Sequence, residues 1–209
     1  MKEIIIIGNS DVNMDYSQRV DGADFVVRFN DMRNYGGNTG TKVDALCVTN
    51  LASPGRAFAK YKKLEHFSSL ETLKEIWFPR PSRHLAVQFW FKPLSYNVFG
   101  RVDYRKHIIT RNNFHQKKIV SFSEELYSAC CNELGIDRHS VTFFPSTGYL
   151  AIQYALTRFA VPDTTISLIG FSFEGNHCHQ WLKERNNVFA IQNQGLISVL
   201  DFDYHDKLS

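Results

Sequence analysis

Four consecutive isoleucines at positions 4–7 run straight into Gly8-Asn9-Ser10. Side chains branched at Cβ are stiff and suit extended backbone, and a strand that is apolar on both faces must be covered on both. That requirement predicts a buried parallel strand with helices packed above and below it. A first strand opening into a small polar loop is also how open α/β sheets bring ligands to their carboxyl ends. Further strands are predicted over residues 24–28 (DFVVR), 44–48 (DALCV), 75–78 (EIWF), 118–122, 165–169 (TISLI) and around 196–202. Helices are predicted between them, over 55–67 with Pro54 at the start, 123–134 with Ser123 as N-cap, 149–159, and from about His179 onward. The expected class is α/β with a mostly parallel central sheet flanked by helices, and the length suits one such domain or a large domain with a subsidiary lobe.

Composition excludes several alternatives. Hydrophobic residues make up 44% and charged residues 22% of the 209, which rules out a disordered, collagenous or coiled-coil chain. A formal charge of +3 is too weak for a nucleic-acid footprint. Lys60, Lys62, Lys63 and Arg101, Arg105, Lys106 form local basic clusters, which suit a solvated face as well as contact with an anionic substrate or a membrane surface. The isoleucine run is far short of the ~20 residues a membrane span needs, and Met1-Lys2-Glu3 before it lacks the shape of a signal peptide. A soluble protein that is not exported is expected. Four cysteines without CxxC spacing (Cys47, Cys130, Cys131, Cys178) fit free thiols in a reducing compartment.

Two strand-to-helix junctions have the composition of anion-binding loops. Gly8-Asn9-Ser10 follows the first strand, and Ser146-Thr147-Gly148 opens a helix whose N–H groups and positive dipole end favour negative charge. Dinucleotide and Walker motifs are both absent, and an ordinary N-cap accounts for Ser146 or Thr147 equally well. A third loop, Asn176-His177-Cys178-His179, follows the strand that ends at Gly170-Phe171. An imidazole at a sheet's ligand edge is a suitable general base, although surface histidines explain the pair too, and the i, i+2 spacing gives little support to zinc. Asp201-Phe202-Asp203 spells a DxD triplet, a metal-binding signature of many nucleotide-sugar transferases. Residues 82–116 carry no clean period and are expected to form a lid or acceptor-recognition insert, or irregular packing.

Taken together these segments resemble the sialyltransferases of glycosyltransferase family 29. The long motif of that family is resembled by Ile5-Ile6-Ile7-Gly8-Asn9-Ser10, then Val20-Asp21, Phe25-Val26-Val27-Arg28-Phe29-Asn30 and Gly40-Thr41-Lys42. Its short motif is resembled by Phe144-Pro145-Ser146-Thr147-Gly148 and the later Ile169-Gly170-Phe171, and its very short motif by His179 and Glu184. Order and rough spacing agree over nearly the whole chain. Where disulfide-bonded members of the family carry their motif cysteines, this chain has Ile4 and Phe159.

The resemblance implies a single Rossmann-like nucleotide-binding domain over residues 1–209, a compact, bacterial-type, GT-A-like transferase that takes a sialic acid or Kdo-type ulosonic acid from its CMP donor to a glycan hydroxyl, without a metal and with inversion. By position, Asn9, Ser10 and Asn30 are expected at the cytidine monophosphate. Ser146, Thr147 and Gly148 are expected at its nucleotide and phosphate region, Gly170 and Phe171 beside base or ribose, and His177 near the phosphate. His179 matches the general base, and Arg28, Asp21 and Glu184 read as internal scaffold. No cofactor is implied beyond the CMP-activated donor. The implied setting is lipopolysaccharide or capsule synthesis, at the inner face of the membrane. Two alternatives keep the same pocket, a non-catalytic CMP- or carbohydrate-binding module and a CMP-sugar hydrolase.

Overall fold

The computed structural model describes residues 1–61, 64, 67, 70–81, 103–140 and 142–201. Seven strands form one sheet: β1 (Lys2–Ile7), β2 (Phe25–Phe29), β3 (Ala45–Cys47), β4 (Glu75–Phe78), β5 (Lys118–Ser121), β6 (Thr164–Ile169) and β7 (Ser198–Val199). Their spatial order is β5-β4-β3-β2-β1-β6-β7, and every adjacent pair is parallel. The mostly parallel α/β sheet expected from the isoleucine run is therefore the observed one. The chain lays down β1 to β5 in one direction, then returns to place β6 against the free side of β1. That reversal puts the topological switch point between β1 and β6, where open α/β sheets hold their ligands.

Alternation along the strands sends side chains to two layers. Ile4, Ile6, Val27, Phe29 and Trp77 pack beneath α4 (Glu124–Glu133), α5 (Thr147–Phe159) and α6 (Trp181–Asn193). On the other face Leu46, Val48, Ile76 and Phe78 meet Phe58 of α2 (Ala52–Lys60) and Ile108 of α3 (Arg105–Arg111). Ile5, Ile7 and Val26 meet Val20 of α1 (Ser17–Gly22) on the opposite face from α5. Burying a Leu- or Ile-sized side chain stabilises the fold by about 1.5–3 kcal/mol, so this double-sided core outweighs any single polar contact.

Several boundaries differ from the sequence reading. Helix α2 begins at Ala52 and ends at Lys60, so Pro54 lies in its first turn, where it has no intrahelical bond to forfeit. Helix α6 begins at Trp181, two residues after His179. Helix α1 was not expected, since six residues are too few to show a period. Of the stretch 82–116, residues 82–102 lie outside the described residues, while 103–116 contain α3 and bury Tyr104, Ile108 and Phe114. Ser123 caps α4 as expected, its hydroxyl accepting from Leu126 N–H. No helix among the described residues is long and apolar enough to cross a membrane.

Candidate functional site

The carboxyl ends of β1, β2, β3, β4 and β6 open on one cavity of about 820 Å³. All ten residues singled out by the sequence as site candidates line it. The chain brings residues 8 and 170 together at the switch point, where Gly8 N–H donates to Ile169 O at 2.8 Å and Ser10 N–H to Gly170 O at 3.1 Å. A Cβ on Gly8 would stand 2.2 Å from Gly170 O, so only glycine permits this approach. Gly170 has φ +69, in the left-handed region.

Around this junction the polar side chains are bonded to one another. Asn9 Nδ2 donates to Phe29 O at 3.3 Å and its Oδ1 accepts from Arg33 N–H at 3.2 Å, tying the end of β1 to the end of β2. Ser10 Oγ donates to Ser172 Oγ at 2.9 Å. Asn30 takes the left-handed conformation at φ 51, which asparagine tolerates better than most residues, and its Oδ1 accepts from Thr49 N–H at 3.0 Å. Phe171 sits edge-on to Phe29 with ring centroids 6.0 Å apart, forming an apolar wall. Arg28 lies deeper, donating to Lys42 O, Thr39 Oγ1 and Gly40 O, and burial lowers its pKa to about 10. Asp21 Oδ1 accepts from Thr41 and Lys42 N–H. Both residues hold the loop that follows β2 rather than facing the cavity.

The opposite wall is the N-terminus of α5. Ser146 is its N-cap, its hydroxyl accepting from Tyr149 N–H at 3.0 Å and donating to Glu184 Oε2 at 2.5 Å, while Ser146 N–H donates to Glu184 Oε1 at 2.8 Å. Ser146 is thus engaged inside the protein. Glu184 is fully buried in the first turn of α6, and burial raises its pKa against the lowering effect of the Ser146 bonds and of nearby Arg80. Thr147 Oγ1 is 2.9 Å from Thr49 Oγ1, which links the helix to the end of β3. Gly148 lies against Phe171, whose ring would be 3.0 Å from a Cβ placed there.

His179 is held by its backbone-facing nitrogen. Nδ1 lies 2.9 Å from Phe144 O, and because a carbonyl only accepts, Nδ1 carries the proton and Nε2 keeps its lone pair in the neutral ring. Phe144 and Trp181 flank the ring edge-on at 5.2 and 4.9 Å. Burial lowers the imidazole pKa below its ordinary value, the Phe144 bond opposes that, and the neighbouring Arg80 charge adds to it. The site thereby favours the neutral ring. His177 is exposed at the cavity rim.

Among the cavity residues that escaped the sequence reading, two stand together. Arg80 is buried at the end of β4 and stacks on the Phe144 ring at 4.1 Å, and Tyr127 lies beside it. The signal was Pro79-Arg80-Pro81 directly after the apolar EIWF strand, a cation fixed at a carboxyl edge. Asp201 of the DxD triplet accepts from Asn13 N–H at 3.2 Å and does not line the cavity, and Asp203 lies outside the described residues. Among the described residues no group of three or more His, Cys, Asp or Glu is placed to hold a metal ion.

No protein-family model matches the chain. It is 25% identical over 214 residues to the urease operon 23 kDa accessory protein of Rhizobium meliloti (strain 1021), covering 94% of this chain and 92% of that protein. Among solved structures it is similar to a mammalian sialyltransferase in complex with Gal-beta-1-3GalNAc-ortho-nitrophenol, with a TM-score of 0.57 at 16% identity over 97% of this chain and 70% of the other. The Campylobacter jejuni sialyltransferase CstII, in complex with the substrate analogue CMP-3FNeuAc, gives 0.56 at 14% identity over 96% and 81%. An α-2,3-sialyltransferase of the same organism in apo form gives 0.55 at 18% over 97% and 76%. Identities this low establish a shared fold.

Proposed function

We propose that the chain is an inverting, metal-independent glycosyltransferase. In this reading residues 1–209 act as one domain in the cytoplasm, moving a sialic acid or Kdo-type ulosonic acid from its CMP donor to a glycan hydroxyl, with His179 as general base. The observation that carries the reading is the Nδ1 contact to Phe144 O, which leaves a basic Nε2 in a cavity at the sheet's switch point. The sialyltransferase fold supports it.

The chemistry divides between the α5 helix end and His179. Cleavage of the bond from the anomeric carbon to the phosphate oxygen sends its electron pair to CMP. The N–H groups of α5 and the positive end of its dipole stabilise the charge that gathers there. On the far face of the oxocarbenium-like sugar, His179 Nε2 takes the proton of the acceptor hydroxyl, whose oxygen forms the new bond with inversion. The leaving phosphate needs fixed dipoles more than a proton, which suits a site with one neutral base and a helix end. Asn9, Ser10 and Asn30 shape the nucleotide side of the cavity, and His177 stands at its rim.

His179→Ala is expected to lower turnover of CMP-sialic acid or CMP-Kdo by about 10²–10⁴-fold with CMP affinity nearly unchanged. Unaltered turnover removes His179 as base. The rate of the unsubstituted enzyme should also fall on acidification only below the ordinary imidazole range, because burial depresses the His179 pKa. A second reading is favoured by the Rhizobium relative, which is named an accessory protein. A CMP-binding module would bind CMP without turnover, and a hydrolase would release free sugar whether or not a glycan is supplied.

A further inference from the structure

Arg80 is a buried cation on the wall of a cavity, and that placement needs a reason. Its side chain is almost wholly withdrawn from solvent, at 5% exposure. Among the described residues no carboxylate lies within salt-bridge distance of it, and the bond its guanidinium makes there runs from Nη2 to Pro145 O at 2.8 Å. Glu184, the carboxylate whose charge acts on it, has both oxygens engaged by Ser146. A guanidinium carries five N–H groups in one plane, and its Cζ lies over the Phe144 ring, 4.1 Å from the centroid. Burying such a charge is costly unless an anion joins it.

The backbone around Arg80 is clamped. Asn50, fully buried after β3, donates from Nδ2 to Arg80 O at 3.0 Å and accepts at Oδ1 from Arg80 N–H at 3.3 Å. Asp103 Oδ1 accepts a second bond from Asn50 Nδ2 at 3.0 Å, which fixes the amide's orientation. Arg80 and His179 hang from consecutive carbonyls, those of Pro145 and Phe144, so the cation and the base hold a set relation to each other.

We propose that Arg80 binds the anionic group of the donor, and that Asn50 is the positioning residue that holds it there. This rests on the CMP-sugar reading above. The group is either the phosphate or the sugar carboxylate, each of which offers two oxygens to a guanidinium fork.

Calorimetric titration of cytidine, CMP and CMP-sialic acid into the wild type, Arg80→Gln and Asn50→Ala tests it. In Arg80→Gln the preference for CMP over cytidine should fall by about 10- to 100-fold if the phosphate is held. If the carboxylate is held, the preference for CMP-sialic acid over CMP falls instead. Asn50→Ala should move the same ratio in the same direction with cytidine affinity unchanged, whereas a general loosening weakens all three ligands together. Should Arg80→Gln not fold, Arg80→Lys keeps the charge without the fork and should give a smaller drop in the same ratio. Both ratios unchanged in a folded Arg80 variant overturn the proposal and leave the CMP reading standing. If the wild type binds none of the three, the CMP reading falls. A rise in melting temperature with inorganic phosphate that is lost in Arg80→Gln then keeps the anion site, and its absence overturns that as well.

Discussion

Helix α5 is held at both ends by a buried glutamate from elsewhere in the chain, and the two ends differ in kind. At its last turn Arg158 Nη2 donates to Glu75 Oε1 at 3.0 Å, where Lys118 Nζ also reaches the carboxylate at 3.0 Å and Trp77 Nε1 donates to Oε2 at 2.7 Å. Burial alone would raise the Glu75 pKa, but the Arg158, Trp77 and Lys118 bonds bring it down to about 2. At the first turn Glu184 meets only the N–H and hydroxyl of Ser146, and burial leaves its pKa raised. Glu75 starts β4, at the amino edge of the sheet, while Glu184 stands at the carboxyl edge where the cavity opens. One edge has its charges matched in direct ion pairs. The other sets Arg80 on the Pro145 carbonyl and Glu184 on Ser146, with no direct ion pair between them.

The contrast has measurable consequences. Glu75→Gln removes the anion from two cations and should cost about 2–4 kcal/mol in urea denaturation, while Glu184→Gln should cost less, about 1 kcal/mol, because it breaks no direct ion pair. Equal losses would dissolve the distinction. Ser146→Ala comes next, at about 2 kcal/mol, because it deletes a helix cap and leaves a Glu184 oxygen without its hydroxyl donor. Ser123→Ala at α4, a cap with the Leu126 N–H as its partner, should cost about 1 kcal/mol. The smallest effect is a drift with pH, of opposite sign at the two glutamates. The Glu75 contribution is complete above the ordinary value of 4.5 and is lost as pH falls toward about 2, so wild type and Glu75→Gln converge on acidification. Glu184 favours its protonated form in the folded state, so the wild type loses ground to Glu184→Gln as pH rises above 4.5. Urea midpoints across that range check both signs.

The strands were legible because each buried run, from the four isoleucines to TISLI, carries the two-faced apolar character that only a covered parallel sheet satisfies. The cavity candidates were legible because glycines, asparagines and hydroxyls gathered just past those runs. Arg80 was not, since its meaning depends on Asn50, thirty positions earlier, and on Phe144, sixty-four later, and no local pattern reports such a meeting. The double engagement of Ser146 was hidden for the same reason, as was the helix α3 within an aromatic-rich stretch of no clear period. Local periodicity reveals which backbone will form, while the partners of a buried polar group are set by topology.

The place of β6 between β1 and β7 has a bearing on synthesis. Until residue 169 has emerged from the ribosome, β1 has a neighbour on one side only, and the N–H and C=O groups along its isoleucines are open to any strand that passes. A chain truncated before β6 therefore leaves that edge of β1 unpaired and open to aggregation.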